Sequence, residues 1–248
     1  MYFEHTPEIW REFPELAAGV IQVGGITSAA NVDPAVADLI EIARTRLEST
    51  TESQLPEVQA WRRAFSRMGL KPTQYRCASE SLLRRFRKEG TLPTLHPLID
   101  LCNATSLAFA IPVAVFDISA IDDHIKVRHA IGDERYLSFA GEIEHPDPGE
   151  VIFADASANV HARRWTHRQS GASAVRATTS EVLIVTEAMH DTAAADIPAL
   201  LESLAGRAAD RDALGHRAAL HILRQQVDQR AQSGDDLPQR DVARTTEE

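Results

Sequence analysis

The stretch LPTLHPLIDLCNATSLAFAIPVAVFDIS, Leu92 to Ser119, decides the fold. Pro97 stands at the first position of an apolar run, where a fixed φ and a missing N–H cost a helix nothing. The run predicts a buried helix from Pro97 to about Phe109, a turn at Pro112 and a strand from Val113 to Ile118. Asp100 and Asn103 lie three apart and so share one face of that helix. An unpaired buried polar side chain costs about 1–3 kcal/mol. The pair therefore either ties the helix to a neighbouring loop or lines a pocket.

Upstream the chain reads as strand, then helices. Gly19 to Val23 is a short strand ending at Gly24 and Gly25. Asp33 and Pro34 start a helix with Val36, Leu39, Ile40 and Ala43 on one face. Pro56 starts another, with a Val58, Trp61, Phe65 and Met68 stripe and a stop at Gly69. Ser79 is the expected N-cap of a third, which ends at Gly90.

Downstream the pattern changes to strands. HIKVRHA alternates, RYLSF is short, and a hairpin turns around DASAN. TTSEVLIVTEAM reads as a fully buried strand, and DIPALLESLAGRAAD as a closing helix. Helices first, then strands, then a helix is the order of an α+β or mixed fold. The main body is expected over residues 10–207. Residues 208–248 read as a polar extension, partly helical and then disordered.

The chain has 248 residues, of which 44% are hydrophobic, with a formal net charge of -10. Binding by phosphate neutralisation alone calls for a basic protein, so general nucleic-acid coating is disfavoured. Two cysteines without CxxC spacing, Cys77 and Cys102, read as reduced thiols of a cytoplasmic protein. No window reaches the roughly 20 apolar residues of a membrane span. HExxH, GxSxG and Walker patterns are missing. His124 and His129 read as strand-end histidines rather than as metal ligands.

Against that acidic background, HARRWTHRQSG, His161 to Gly171, holds three arginines, two histidines, one tryptophan and no acid. Read as one strand, it puts Arg164 and Arg168 on one face, about 13 Å apart. Arg163, Trp165, His167 and Gln169 take the other face. The arginines then grip an anion while Trp165 stacks on a ring. In the alternative reading they pair with the plentiful acids and the tryptophan packs in a core.

Taken in order, these segments resemble the editing (B3/B4) module of the phenylalanyl-tRNA synthetase beta subunit. That module has an N-P-x-V-D-x-x-N helix followed by a Q-P-x-H-A-F-D strand. Pro97, Asp100, Asn103, Pro112, Phe116 and Asp117 match it here. HIKVRHAIGDERYLSFAGE, with Arg128, resembles the next V-R-x-A strand and Gly-Glu turn, and GEVIFADAS the L-V-I-A-D segment. The likeness runs from about Trp61 to Met189. WRRAFSRMGLKPTQYRCASESLLRR and RRWTHRQS look like free-standing relatives of the module.

Two positions depart from the pattern. The module's histidine falls at Ala114, and the glutamate of its V-L-L-E strand falls at Val185, with Glu187 two residues on. A shift of two keeps the same strand face.

The resemblance implies ester hydrolysis of an aminoacyl-tRNA in a pocket between two parts of the domain, without a protein nucleophile or a cofactor. Glu187 and Asn103 would serve the chemistry, Glu187 by orienting water. Asp100, Arg128, Arg163, Arg164, Trp165, His167, Arg168 and Gln169 would face the ligand. The partner implied is tRNA or aminoacyl-tRNA, with neither DNA nor a membrane. The rival expectations are a non-catalytic binder of RNA or of a small aminoacyl ligand, and an enzyme for another small substrate on a reused pocket.

Overall fold

The computed structural model describes residues 1–209 and 217–223, with the backbone alone for 208–209 and 217–223. At its centre lies a four-stranded antiparallel sheet. β2 (Ala17–Gly24) and β10 (Glu181–Ala188) pair in the middle, with β3 (Val113–Asp117) and β11 (Arg217–Leu223) at the edges. The second sheet runs in the order β1 (Tyr2–His5), β4 (His124–His129), β7 (Val151–Ala154), β8 (Asn159–Arg163), β5 (Arg135–Leu137), β6 (Ile143–Glu144). A two-residue β9 (Arg168–Gln169) also pairs with β8. Among the described residues, six α-helices complete the fold: α1 (Pro7–Glu12), α2 (Asp33–Glu48), α3 (Pro56–Arg67), α4 (Ala78–Glu89), α5 (Pro97–Phe109) and α6 (Ala193–Ala209).

The central sheet is covered on both faces, and its strands show it. In β10, Val182 and Ile184 face the helix layer, where they meet Leu98 and Leu101 of α5 and Ile197 and Leu201 of α6. Leu183 and Val185 face the second sheet, where Phe3, Ile125, Val127 and Phe153 wait. A strand buried on both sides needs apolar residues throughout, which is why EVLIVTEA has no alternation. Glu187 falls on the intersheet side, two residues after Val185.

The helix boundaries follow the caps. Pro97 opens α5 and His96 caps it, Nδ1 accepting from the Leu98 amide at 3.2 Å. Gly90 ends α4 at φ 75°, a left-handed position that glycine takes without strain. One boundary moves: Cys77 caps α4, and Ser79 lies inside its first turn, fully buried.

Three features differ from the sequence reading. β1 and α1 carry no strong local pattern, yet β1 pairs in parallel with β4 and α1 buries Ile9 against the intersheet core. Residues 160–169 are not one strand. β8 stops at Arg163, and Arg164 and Trp165 follow at φ 47° and 57°. Within the extension expected to be partly helical, Arg217–Leu223 is a strand on the open edge of β2. Pairing with unsatisfied edge groups outweighs the helix preference of its alanines and leucines. Residues 208–209 end α6, and the rest of the extension lies outside the described residues.

Among the described residues no helix is long and apolar enough to cross a membrane. Cys77 and Cys102 are buried, and burial pushes their thiols up to about 11 and about 12.

At Gly19, β2 lies close against α6. A Cβ there would stand 2.9 Å from Ile197 Cγ2 and closer still to Leu201. Gly19→Val should overpack this contact by about 2 kcal/mol. For a chain of this size, that corresponds to a melting temperature lower by roughly 4–8 °C in a calorimetric scan.

Candidate functional site

A cleft opens between the two sheets beside β3 and β10. Ala114, Val185 and Glu187 line one side, Phe153 and Ala162 the other, and the turn from Trp165 into β9 closes it. Its cavity volume is small, about 60 Å³. Its walls are mostly apolar, and Glu187 is its buried carboxylate, 2% exposed. Register explains the grouping: Ala114 pairs directly with Val185 across β3 and β10. The two positions at which the chain departs from the module's pattern are thus neighbours in one cleft.

Both oxygens of Glu187 are held. His5 Nε2 donates to Oε1 at 2.5 Å, and Trp165 Nε1 donates to Oε2 at 3.0 Å. His5 itself is packed against Trp10 and Phe3. An ionised carboxylate has about four acceptor sites, so two donors fix its orientation and leave capacity toward the cleft.

Trp165 is fully buried, edge-on to Phe13 at 4.8 Å and to Trp61 at 5.2 Å. This corrects the expectation that it stacks on a ligand ring, since the indole is fully buried among core aromatics and its N–H is taken by Glu187. The positive φ at Arg164 and Trp165 turns the chain sharply enough to drive the indole inward. Consecutive bulky residues in that region are uncommon and strained.

The cations of the stretch are paired. Arg163 is 3% exposed and grips Glu150 through two bonds of 2.8 Å each, with a third to Glu144 at 2.7 Å. Arg168 meets both oxygens of Glu144 at 3.0 and 3.1 Å. Arg164 gives its backbone N–H to Glu150 at 2.9 Å and lays its guanidinium over Tyr75. Arg128 pairs with Glu134, whose oxygens also accept from the Ile131 and Gly132 amides. The common face expected for Arg164 and Arg168 does not form, because the chain turns between them.

His167 and Gln169 line the cleft but are engaged. His167 Nδ1 donates to Arg76 O at 2.8 Å, and Gln169 Nε2 donates to Val115 O at 2.6 Å. Burial, with Arg164 and Arg168 nearby, outweighs the Arg76 bond and holds the His167 imidazole below its ordinary value. Thr166, also in the wall, has a buried Oγ1 without a hydrogen-bond partner among the described residues.

Asp100 and Asn103 are elsewhere. They line a second cleft in the helix layer, which shares no residue with the first. The sequence-predicted set is therefore split. Glu187, Trp165, His167, Arg168 and Gln169 gather at the intersheet cleft. Asn103 and Asp100 do not join them, and Arg128 and Arg163 serve buried or half-buried ion pairs. His5 was missed, because nothing local marks it; only the parallel pairing of β1 with β4 brings it to Glu187.

One arrangement that looks catalytic is sealed. His161 lies 2.9 Å from Ser173 Oγ and 3.3 Å from Asp155 Oδ2, with His161 and Ser173 both 0% exposed. Asp155 also accepts from the Ser157 and Asn159 amides and so locks the β7–β8 turn. Burial pulls its carboxyl upward, but the His161 and Asn159 bonds win and hold it well below the usual range. No substrate reaches that serine.

The paired acids make stability pH-dependent. Burial alone would raise Glu150 and Glu134, but Arg163 and the Ile131 amide with Arg128 hold each below the ordinary 4.5. A depressed folded value means stability that is complete above the unfolded value and lost as pH falls through the folded one. Denaturant midpoints should therefore fall progressively below about pH 4.5. Glu150→Gln should cost about 3 kcal/mol at neutral pH, with Glu144 keeping one side of Arg163, and should make the acid slope shallower.

No curated protein matches the chain. Among solved structures it is similar to an N-terminal fragment of the phenylalanyl-tRNA synthetase beta subunit from Pyrococcus horikoshii, at 11% identity and a TM-score of 0.45. That match covers 85% of this chain and 48% of the other, so the chain spans about half the length of that fragment. The family model described as B3/4 domain matches residues 60–202, more than half of the chain. The chain belongs to the B3/4 domain family.

Proposed function

We propose that this chain is a tRNA-linked protein whose intersheet cleft takes the aminoacyl end of an aminoacyl-tRNA and promotes hydrolysis of its ester. The observation that carries the reading is the fixed carboxylate of Glu187 in a mostly apolar cleft. Apolar walls accept a side chain by burial. A carboxylate held by two donors accepts a further hydrogen bond, from a water or from a donor at the tip of that side chain. Hydrolysis of an activated ester needs a placed water and donors for the developing oxyanion rather than a protein nucleophile. The family and the motif order that resembles the synthetase module support the tRNA link.

The arginines bear on affinity. Arg163 is locked in its pairs, whereas the Arg168 side chain is 38% exposed and faces a partly exposed acid. Arg168 can exchange Glu144 for a ligand phosphate or carboxylate at modest cost, since an exposed pair contributes about 0–1 kcal/mol.

A second reading is favoured by one residue. Ala114 leaves the cleft without the imidazole that the resemblance would place there. A cleft with recognition but without chemistry would bind the aminoacyl group and release it unchanged.

Incubation with tyrosyl-tRNA and other misacylated tRNAs separates the two. The hydrolase reading expects release above buffer for at least one charged tRNA, reduced by Glu187→Gln about tenfold or more. Binding without release would support the second reading. Neither binding nor release would end both.

A further inference from the structure

The second cleft remains unused by the function proposed above. We propose that it is a separate binding site for a small zwitterion, a free amino acid with an apolar side chain. It lies in the helix layer, bounded by α2, the end of α4, the 90–94 loop and α5. α2 offers Asp33, Val36, Ile40 and Arg44, which follow one another along a single face at helical spacing. α5 adds Asp100, Asn103 and Ala104, three and four residues apart.

These groups are arranged by chemistry. Val36, Ile40, Phe86 and Ala104 form an apolar floor. Asp100 is held in one orientation by the Leu95 amide, which donates to Oδ1 at 2.9 Å. Its other oxygen and the Asn103 carboxamide make no hydrogen bond among the described residues. A carboxylate beside an amide oxygen suits an ammonium group, which has three donors and no acceptor.

Arg44 supplies the opposite charge. Its guanidinium lies 5.7 Å from the Phe86 ring and 3.3 Å from Glu41, with both partners of that pair at least half exposed. Such a pair is weak in water, so a ligand carboxylate competes for Arg44 at little cost. Ammonium to Asp100 and Asn103, carboxylate to Arg44 and side chain to the floor together describe an α-amino acid. An amine alone would leave Arg44 unused, and a fatty acid would meet Asp100 with like charge.

Calorimetric titration of the full chain tests this with three probes: isoleucine, phenylalanine and isobutylamine. The amino acids should bind, and isobutylamine should bind at least about tenfold more weakly, the loss of one charge-assisted contact. Asn103→Ala and Arg44→Gln should each weaken amino-acid binding by about tenfold, with an unchanged melting temperature showing that the fold survives. Glu187→Gln should leave this binding within about twofold, which separates it from occupancy of the intersheet cleft. The proposal falls if neither amino acid binds at about 10 mM, where a millimolar site would be mostly filled. It also falls if Glu187→Gln abolishes binding while Asn103→Ala and Arg44→Gln spare it.

Discussion

A carboxylate stands on a central strand buried on both faces, and the chain is organised around satisfying it. Moving Glu187 out of water costs several kcal/mol unless donors replace the lost hydration. The donors come from parts of the chain far apart in sequence. His5 arrives on β1, which must therefore pair with β4, and Trp165 arrives through a turn with two residues at positive φ. Each such residue costs about 1–3 kcal/mol. The indole bond to a charged acceptor offsets about 1.5–3 kcal/mol, and burial between Phe13 and Trp61 adds to it. The strain is tolerated because one side chain joins Phe13 at the end of α1, Trp61 of α3 and Glu187 of β10.

The same constraint shows how far the sequence could be read. α5 and β3 were legible almost to the residue, because Pro97, Pro112 and Gly90 act through local backbone geometry that needs no knowledge of neighbours. β10 was legible because the unbroken apolar run Val182–Val185 admits little else. β1, α1 and β11 were not. A four-residue strand that pairs in parallel with a partner far along the chain leaves no local period, and β11 trades helix preference for an open sheet edge. The turn at Arg164 and Trp165 was hidden for a different reason. Neither residue favours positive φ, so its local preference pointed to a continuing strand, and only the core that receives the indole overrides it.

The site was legible in part for similar reasons. Strand parity put Glu187 on the face of Val185 and the cleft, a rule that survives any tertiary detail. Parity failed for Arg163 to Gln169 once the strand ended. The cations cluster in an acidic chain because acids elsewhere meet them: Glu144 and Glu150, close to β6 and β7, each engage two of the stretch's arginines. Sequence distance concealed these pairs. Of the two readings open at the outset, pairing accounts for Arg163 and packing for Trp165. Arg168 keeps both a partner and access to the cleft.

The stretch that decides the fold also passes both clefts. α5 carries Asp100 and Asn103 to the helix layer, and β3 then carries Ala114 to the intersheet side. The helix face and the strand face are set by different periods, 3.6 and 2, so residues close in sequence part company at Pro112. Asp100 and Asn103 looked like partners of the later site residues only because a linear reading cannot see the sheet between them. The central sheet keeps the clefts apart. No side chain is shared, so each must be explained by its own chemistry: a lone anchored carboxylate on one side, and opposite charges across an apolar floor on the other.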